Sequence, residues 1–500
     1  MRGAWCAWML AMLLAAAGMP TRTLGQTQST DNQDLRKLVE QMQARMTQMQ
    51  AEIDELKGKK AEATTAPPTA TAAAAVTGSQ TGEGKNDGTI RATTPPKEGQ
   101  TSPQVGAATA RYQEFSEDTL AAARFDNVPL DPKYHGYFQL PGTETIVKIG
   151  GYFKTDFIYD LKPAGNADVF VPSSMPIPQP NSTNNTTVSI RPTRLSVDFR
   201  VPTTKVGDVR FYLEGDFLGT NATTPRLRHA YAQAKNLLLG QTFTNFMDPD
   251  AFPDMLDSQG PNGIVSIRNP QIRYGFALGE STTFYVSVEK ASSDVVYSTP
   301  QFALQPNSPT PDGALRLRQE WDRGHFQVAA LFRSVAAFVP GGRTGSVLGW
   351  GLNGSLGMRT FGKDNVIFSV AGGKGMSRYL QDTSGLGIDA ELTDETNPHL
   401  VATPAVGIVG AYQHYWHKRL RSSVVYSYAA VNNTDMAPPT TYNHATYTGT
   451  NLIWNPGGSF NVGAEFLYGW AMEQSGLKAN APRFQITAKY SFVKVDADQD

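Results

Sequence analysis

Apolar and polar residues alternate one by one along RFQITAKYSF, the run from Arg483 to Phe492 near the end of the chain. Side chains of a β-strand point alternately to opposite faces, so this run predicts a strand with one apolar and one polar face. Two environments suit such a strand. Its apolar face either covers the core of a soluble sandwich or contacts lipid on the outside of a barrel.

The same alternation recurs along much of the chain. In TIVKIGGYFKTDFIYDL, Ile149, Phe153 and Phe157 fall on one face, and Lys154 and Asp156 fall on the other. Further runs of this kind contain Leu195, Phe211, Leu317, Phe326, Leu352 and Phe466. Arg, Asp or Glu repeatedly stands opposite the apolar face, and segments of helical period that could cover a soluble sheet are essentially missing after residue 130. We therefore expect the apolar face to meet lipid and the polar face to line a water-filled lumen.

The number and spacing of these runs predict an all-β transmembrane barrel. About fourteen or fifteen strands are clear, and because closed bacterial barrels have an even number, we expect about 16 antiparallel strands between residues 131 and 493. Short segments such as LGEST (278–282), WDRGH and WHKRL are expected to be periplasmic turns, and long segments rich in Pro, Asn and Thr are expected to be extracellular loops. Residues 494–500 are expected to form a C-terminal tail.

Composition agrees with this interpretation. The 500 residues include 46 Gly, 19 Tyr and 24 Phe, the mean hydropathy is −0.34, and only 18% of residues are charged. Alternating strands joined by polar loops produce such a balance. Basic residues are not in excess over acidic ones, so the charge balance does not favour nucleic acid as a partner.

The first 25 residues have the features of a secretory signal peptide. Arg2 precedes an apolar run from Ala4 to Ala17, which is too short to span a bilayer, and small residues follow. Removal of residues 1–25 would take away Cys6, the only cysteine, so no disulfide would stabilise the exported chain. It would also remove two arginines from the 44 basic residues, leaving 42 against 45 acidic ones, a net charge of −3.

Residues 31–58 predict a coiled coil that precedes the barrel. Leu35, Val39, Met42, Met46, Met49, Ile53 and Leu56 are spaced alternately by four and three, which is a heptad seam. A single amphipathic helix lying on a partner or a membrane is the alternative. Residues 59–130 are rich in Pro, Thr and Ala and are expected to form a disordered linker.

Few segments suggest catalysis or cofactors. GWGLNG, at 349–354, matches a nucleotide-binding glycine pattern but lies within an alternating strand. His414 and His417 are three apart, which on a strand places them on opposite faces and disfavours a shared metal. MDPDAFPDMLD offers four carboxylates that could hold Ca²⁺ or shape a pore as an acidic loop, and we favour the acidic loop; they are Asp248, Asp250, Asp254 and Asp257. We expect no enzyme activity and no cofactor.

The segment PRLRHAYAQAKNLLLGQTFTNFMDPDAFPDMLDSQGPNG (225–263), followed by IRNPQIRY, closely resembles the DcaP-like outer-membrane porin family. The likeness extends over the signal peptide, the heptad segment and the strands. It implies a homotrimer, a periplasmic coiled coil and an inward-folded constriction loop after the RLRHAY strand. It also implies uptake of negatively charged solutes, dicarboxylic acids in particular.

Ten arginines are candidates for the lining of an anion-preferring pore, because a guanidinium binds a carboxylate through two parallel hydrogen bonds. They are Arg194, Arg200, Arg210, Arg226, Arg228, Arg316, Arg318 and Arg333 on alternating strands, with Arg268 and Arg273 after the constriction loop. An alternative is that about half of them pair with strand carboxylates as part of the wall. Two other functions remain open: a tether acting through the coiled coil on peptidoglycan or a periplasmic partner, and a barrel enzyme or adhesin.

Replacing Arg226 and Arg228 together by Ala or Glu tests whether these two side chains select the permeating ion. If they do, the reversal potential in a KCl gradient will move toward cation selectivity and succinate uptake will slow, while the trimer survives. Unchanged ion selectivity and dicarboxylate flux would place both arginines in wall ion pairs instead.

Overall fold

The computed structural model describes residues 136–180, 183–203, 207–220, 224–295, 304–339, 343–392 and 399–492. The predicted signal peptide, coiled coil, linker and C-terminal tail lie outside these residues. Within them, no helix is long and apolar enough to cross a membrane.

β-Strands dominate the described part of the chain. The strands are β1 Phe138–Gln139, β2 Ile146–Asp160, β3 Asn185–Ser189, β4 Arg194–Val201, β5 Val209–Asp216, β6 Arg226–Ala234, β7 Leu237–Phe243, β8 Arg268–Ala277, β9 Thr282–Glu289, β10 Gln305–Asn307, β11 Asp312–Trp321, β12 Gly324–Val339, β13 Arg343–Arg359, β14 Asn365–Lys374, β15 Ala390–Leu392, β16 Leu400–Ala402, β17 Pro404–His417, β18 Leu420–Val431, β19 Tyr442–Gly457, β20 Phe460–Glu473 and β21 Lys478–Ser491. Single turns of 3₁₀-helix occur at Pro172–Ser174, Pro249–Ala251 and Ser377–Tyr379.

Sixteen of these strands close into one antiparallel barrel, and the minor strands β1, β3, β10, β15 and β16 stand outside that count. Each barrel strand pairs with its neighbours in the chain. The barrel closes where β21 pairs with β2, from Tyr152 opposite Ser491 to Asp160 opposite Arg483. The predicted barrel and its strand number are confirmed. GWGLNG lies inside β13, as the alternation predicts.

Apolar side chains point outward along the wall. On β21, Phe484 and Ile486 are about half exposed, whereas Arg483, Gln485 and Thr487 on the alternate positions are almost fully buried. In the run from Arg483 to Phe492, apolar and polar side chains therefore lie on opposite faces, as the two-residue period requires. Polar and charged side chains fill the interior, and the apolar band remains for lipid.

The two ends of the barrel differ. At one end the connections are short: the longest, 202–208, has seven residues, and several hairpins turn through two. The predicted turns at 278–282, WDRGH and WHKRL all lie at this short-turn end. The opposite, long-loop end carries the segments 161–193, 290–311 and 375–403. The segment 244–267 also begins there.

The outward apolar band predicts a depth-dependent cost for charge. Ile486→Arg, near the middle of β21, should lower the free energy of unfolding by about 2–4 kcal/mol because the guanidinium enters hydrocarbon. Leu278→Arg, in an exposed turn at the rim, should cost about 0–1 kcal/mol. Urea titrations of the refolded barrel in lipid vesicles measure both, and equal costs at the two positions would contradict the lipid-facing assignment of Ile486.

Candidate pore constriction

The segment 244–267, hereafter the constriction loop, connects β7 to β8 and folds into the barrel. Its backbone carbonyls are hydrogen-bonded by interior side chains of distant strands. Asn353 Nδ2 donates to Phe246 O at 2.8 Å, Gln327 Nε2 donates to Met247 O at 3.1 Å, and Asn451 Nδ2 donates to Asp254 O at 2.9 Å. Backbone groups enclosed in a barrel must find partners, and the wall amides supply them.

Apolar packing holds the same loop against the wall. Phe246, Met247 and Val265 belong to a buried cluster with Leu331 and other side chains from several strands. The sequence pattern suggested a uniformly polar interior. The constriction loop instead brings apolar residues into it.

A wall glycine gives the loop room to pack closely. A Cβ on Gly407 would stand 2.1 Å from the carbonyl oxygen of Gly263. Any side chain at Gly407 would therefore push the constriction loop off β17.

Asp248 is the principal polar anchor of the constriction loop. Its carboxylate accepts hydrogen bonds from Arg318 at 3.1 Å, from His325 at 2.7 Å and from Ser355 at 2.5 Å, and thus joins β11, β12 and β13. Burial alone would raise the pKa of Asp248, but the charges of His325 and Arg318 hold it well below its usual range. The carboxylate therefore stays ionised as the pH falls through the mildly acidic range.

The other three loop carboxylates are also held by contacts. Asp250 accepts from Arg318 Nη2 at 2.6 Å, and Asp254 accepts from Arg421 Nε at 2.5 Å. Asp257 instead accepts from the backbone N–H of Phe170 at 3.0 Å, and burial raises the pKa of its carboxyl. Asp248, Asp250 and Asp254 thus contact wall cations directly, without the open gap that an acidic loop facing arginines would leave. Among the described residues, no group of three or more acidic, histidine or cysteine side chains could hold a metal ion.

The far end of the constriction loop reaches the closing seam of the barrel. Glu465 on β20 accepts from the backbone N–H groups of Leu256 and Asp257 at 2.5 and 3.0 Å. Lys154 on β2 donates to the carbonyl of Leu256 at 2.7 Å. The loop therefore traverses the interior from β7 to the β20–β21–β2 seam.

Two of the predicted pore arginines share one wall carboxylate. Arg200 Nε lies 3.1 Å from Asp198, and Arg210 Nη2 lies 2.9 Å from the same carboxylate. Arg210 also contacts the rings of Tyr212 and Tyr231. Two of the predicted pore arginines therefore converge on one carboxylate at this point of the wall.

Arg226 and Arg228 lie in a second wall network. Arg226 binds Asp216 through Nε and Nη2 at 2.9 and 2.7 Å, and Arg228 binds Glu214 at 2.7 Å and Asp216 at 3.2 Å. A register shift between β5 and β6 pairs Glu214 with His229 and the next residue, Gly215, with Leu227. Arg228 therefore has no opposite residue in the ladder, which is the geometry of a bulge.

Two further predicted arginines, Arg194 and Arg333, have different surroundings. Arg194 lies 3.9 Å from Glu214, and its guanidinium is 5.3 Å from the ring centroid of Tyr152. Arg333 binds Asp389 of the segment 375–403 at 2.7 Å.

Arg268 begins β8 with its guanidinium 4.6 Å from the ring centroid of Phe243. Along β8, Arg268 falls on the same alternate positions as the exposed Ile272, whereas Arg273 falls on those of the buried Gln271. Phe243 belongs to the same buried cluster as Phe246 and Met247, so the guanidinium of Arg268 nevertheless packs against an interior side chain at the start of the strand.

Arg273 and Arg316 flank a single tyrosine. The guanidinium carbon of Arg316 lies 3.9 Å from the ring centroid of Tyr285, and that of Arg273 lies 5.9 Å from it. Both arginines are buried inside the barrel, and within the described part of the chain neither has a carboxylate in salt-bridge contact. Nε of Arg316 has no hydrogen-bond partner there either. Two adjacent guanidiniums without a carboxylate in salt-bridge contact can accommodate an anion.

Sequence reasoning missed several residues of this region. Arg421 and Tyr285 were not singled out, although each lies on the buried face of its strand, and Glu465 was recognised only as a polar position of an alternating run. Lys154 and Arg483 occupied polar positions of recognised alternating runs, which was a usable signal. Their partners could not be found that way, because Arg483 binds Asp160, a residue 323 positions earlier in the chain.

Asp382 joins the loops at the long-loop end. Its carboxylate accepts from the backbone N–H of Ser173 and from the hydroxyl of Tyr442, both at 3.0 Å. Its backbone N–H donates to Asn262 O of the constriction loop at 3.1 Å. Burial raises the pKa of Asp382 to about 6. Three segments distant in sequence therefore meet at one carboxyl group.

Comparison with known proteins gives one family and a set of related folds. Residues 139–492 match the model of the DcaP outer membrane protein family. The crystal structure of the outer membrane channel DcaP of Acinetobacter baumannii is 23% identical and superposes with a TM-score of 0.62, covering 71% of this chain and 99% of that one. An anion-selective porin from Comamonas acidovorans is 10% identical, with a TM-score of 0.46 and coverage of 70% and 100%. No curated protein sequence matches the chain.

Asp248→Asn tests the anchor of the constriction loop. Loss of the buried charge leaves Arg318 and His325 without this partner, at a local cost of about 3–5 kcal/mol, so the loop should detach intermittently from β11–β13. Single-channel recordings in planar bilayers should show new conductance transitions and a larger mean conductance.

Ser355→Ala provides the matched control, because it removes one hydrogen bond to the same carboxylate and keeps its charge. Its recordings should stay close to those of the unmodified protein. If recordings of Asp248→Asn show no new transitions and match those of the unmodified protein, the apolar packing alone holds the loop.

Proposed function

The chain belongs to the DcaP outer membrane protein family and is an outer-membrane porin, and we propose that it preferentially admits small anions such as dicarboxylates. The observation that carries the proposal is the pair Arg273 and Arg316 on either side of Tyr285. Most other predicted pore arginines are neutralised by carboxylates of the wall or of the loops. This pair keeps its charge available for a permeating solute.

The chemistry of the pair suits a carboxylate. Each guanidinium presents planar N–H donors that match the two oxygens of a carboxylate, and the ring of Tyr285 stabilises both cations through its face. Repulsion between two guanidiniums near one ring is relieved when an anion lies between them. The same arrangement disfavours a metal cation or an organic cation.

Neighbouring groups extend this preference along the wall. Arg200 and Arg210, which share Asp198, add a second pair of guanidiniums on β4 and β5. Arg318 is different, because Asp248, Asp250 and Glu320 surround it and it serves as a loop anchor. A solute with two carboxylates could contact both arginine pairs, Arg273 with Arg316 and Arg200 with Arg210, as it passes.

Assembly is part of the same proposal. The resemblance to the family implies a homotrimer, with each barrel acting as a separate pore and the chain preceding it in the periplasm. The long-loop end would then face the outside of the cell, and the short-turn end would face the periplasm.

Replacing Arg273 and Arg316 together by Gln tests the proposed filter. Reversal potentials in a KCl gradient across planar bilayers should move toward cation selectivity, and succinate flux into proteoliposomes should fall, because the counter-ion-free charges are lost. Gln keeps hydrogen-bonding capacity and approximate length, so the barrel should still form.

The matched control is Arg323→Gln combined with Arg419→Gln. These two arginines lie on exposed turns at the short-turn end, so the control removes the same formal charge outside the lumen. Its ion selectivity should stay near that of the unmodified protein. An equal shift in both double variants, or none in either, would contradict the assignment of Arg273 and Arg316 as the filter.

A further inference from the structure

A separate cavity of about 300 Å³ lies at the long-loop end of the barrel. Its described lining comes from four places in the chain: the segment 173–177, the segment 386–391, the segment 438–442 and the end of β20. The two arginines of the proposed filter, Arg273 and Arg316, are absent from this lining. The cavity is therefore chemically distinct from the proposed filter.

Apolar side chains form much of the cavity. Met175, Ile177, Leu386, Ile388 and Met472 line it together with smaller residues. A volume near 300 Å³, lined by polar groups as well as these apolar side chains, lies at the lower end of the range for small-molecule sites.

The charged residues among the described lining are both acidic. They are Glu391 on the short strand β15 and Glu473 at the end of β20, and no Lys, Arg or His accompanies them. Two carboxylates in an apolar cavity without a basic side chain leave its charge uncompensated.

Of the two glutamates, Glu391 gives the stronger evidence for a binding site. Its side chain is only 4% exposed, and Oε2 accepts from the backbone N–H of Thr434 at 2.6 Å. Oε1 is buried without a hydrogen-bond partner in the described part of the chain. Burial raises the pKa of the Glu391 carboxyl, and the Thr434 N–H offsets part of that rise.

Two hydroxyls of the lining are already engaged. The Tyr442 hydroxyl donates to Asp382 at 3.0 Å, and the Ser173 hydroxyl donates to the carbonyl of Asp382 at 2.7 Å. Neither hydroxyl donates to Glu391. Oε1 can therefore accept a hydrogen bond from a bound molecule.

We propose that this cavity binds a small organic cation, an ammonium group on an apolar body, with the ammonium on Glu391 and the body against Met175, Ile177 and Met472. A bare divalent metal fits less well, because Ca²⁺ takes six to eight oxygen ligands and Mg²⁺ requires an octahedral set. The cavity lies in the vestibule and has the opposite charge preference to the filter. Its occupant is a bound ligand rather than the permeating solute, so the inference does not rest on the proposed function.

Titration of the full-length protein in a non-ionic detergent with 4-fluorophenethylammonium, followed by ¹⁹F NMR line width, tests the site. The unmodified protein should broaden the signal saturably, and the neutral analogue 2-(4-fluorophenyl)ethanol should show only unsaturable partition into detergent. Glu391→Gln keeps the shape and an acceptor for Thr434 but removes the charge. Its affinity for the amine should fall on the order of thirtyfold, as expected for loss of a buried charged partner.

Asp435→Asn is the matched control, since this exposed carboxylate lies on the segment 432–441 outside the cavity lining. It removes the same charge and should leave the affinity unchanged. Ile177→Trp narrows the cavity without changing charge and should abolish binding, so the test survives if Glu391→Gln does not fold. No saturable binding to the unmodified protein, wild-type affinity in Glu391→Gln or Ile177→Trp, or an equal loss in Asp435→Asn would each overturn the proposal.

Discussion

The structure depends on one constraint: hydrocarbon offers no hydrogen bonds, so every backbone N–H and C=O of a spanning strand must pair with another strand. The pairing of β2 with β21 meets this requirement by leaving the sheet without an edge. Closure then gives the strand period a functional meaning, because every second side chain is forced into an enclosed space. Charged residues such as Asp160 and Arg483 have no outward alternative, and they meet each other inside.

Enclosure also explains why the constriction loop is so heavily bonded to the wall. A loop that enters the barrel loses water around its backbone and its carboxylates, and each such group is costly unless it is satisfied. Asp248, Asp250 and Asp254 accordingly meet Arg318 and Arg421 at hydrogen-bond distance, and Glu465 accepts the N–H groups at the far end. The carboxylates of the constriction loop therefore serve mainly to hold it against the wall. Its charges are largely neutralised where they stand, so they contribute less to the field in the lumen than their number suggests.

The alternation of residues was enough to predict the barrel, the lipid-facing side chains and the interior position of residues such as Arg210 and Arg318. It could not predict the partners, because those depend on strand register and on how the loop crosses the interior. Arg318 and Asp248 are 70 positions apart, and the bulge that leaves Arg228 without an opposite residue has no signature in the strand pattern. The signal peptide, coiled coil and linker remain predictions from sequence.

Anion preference in such a barrel would depend on the local balance of charge rather than on the number of arginines. A guanidinium that shares a carboxylate with the wall is held in place and largely neutralised, as Arg226 and Arg228 are by Asp216 and Glu214. Arg273 and Arg316 differ because a neutral aromatic ring, Tyr285, positions them instead. A cation–π contact fixes a guanidinium without cancelling its charge or occupying all its N–H donors. Aromatic support is thus a way to keep two positive charges ordered inside a barrel and still available to a passing carboxylate.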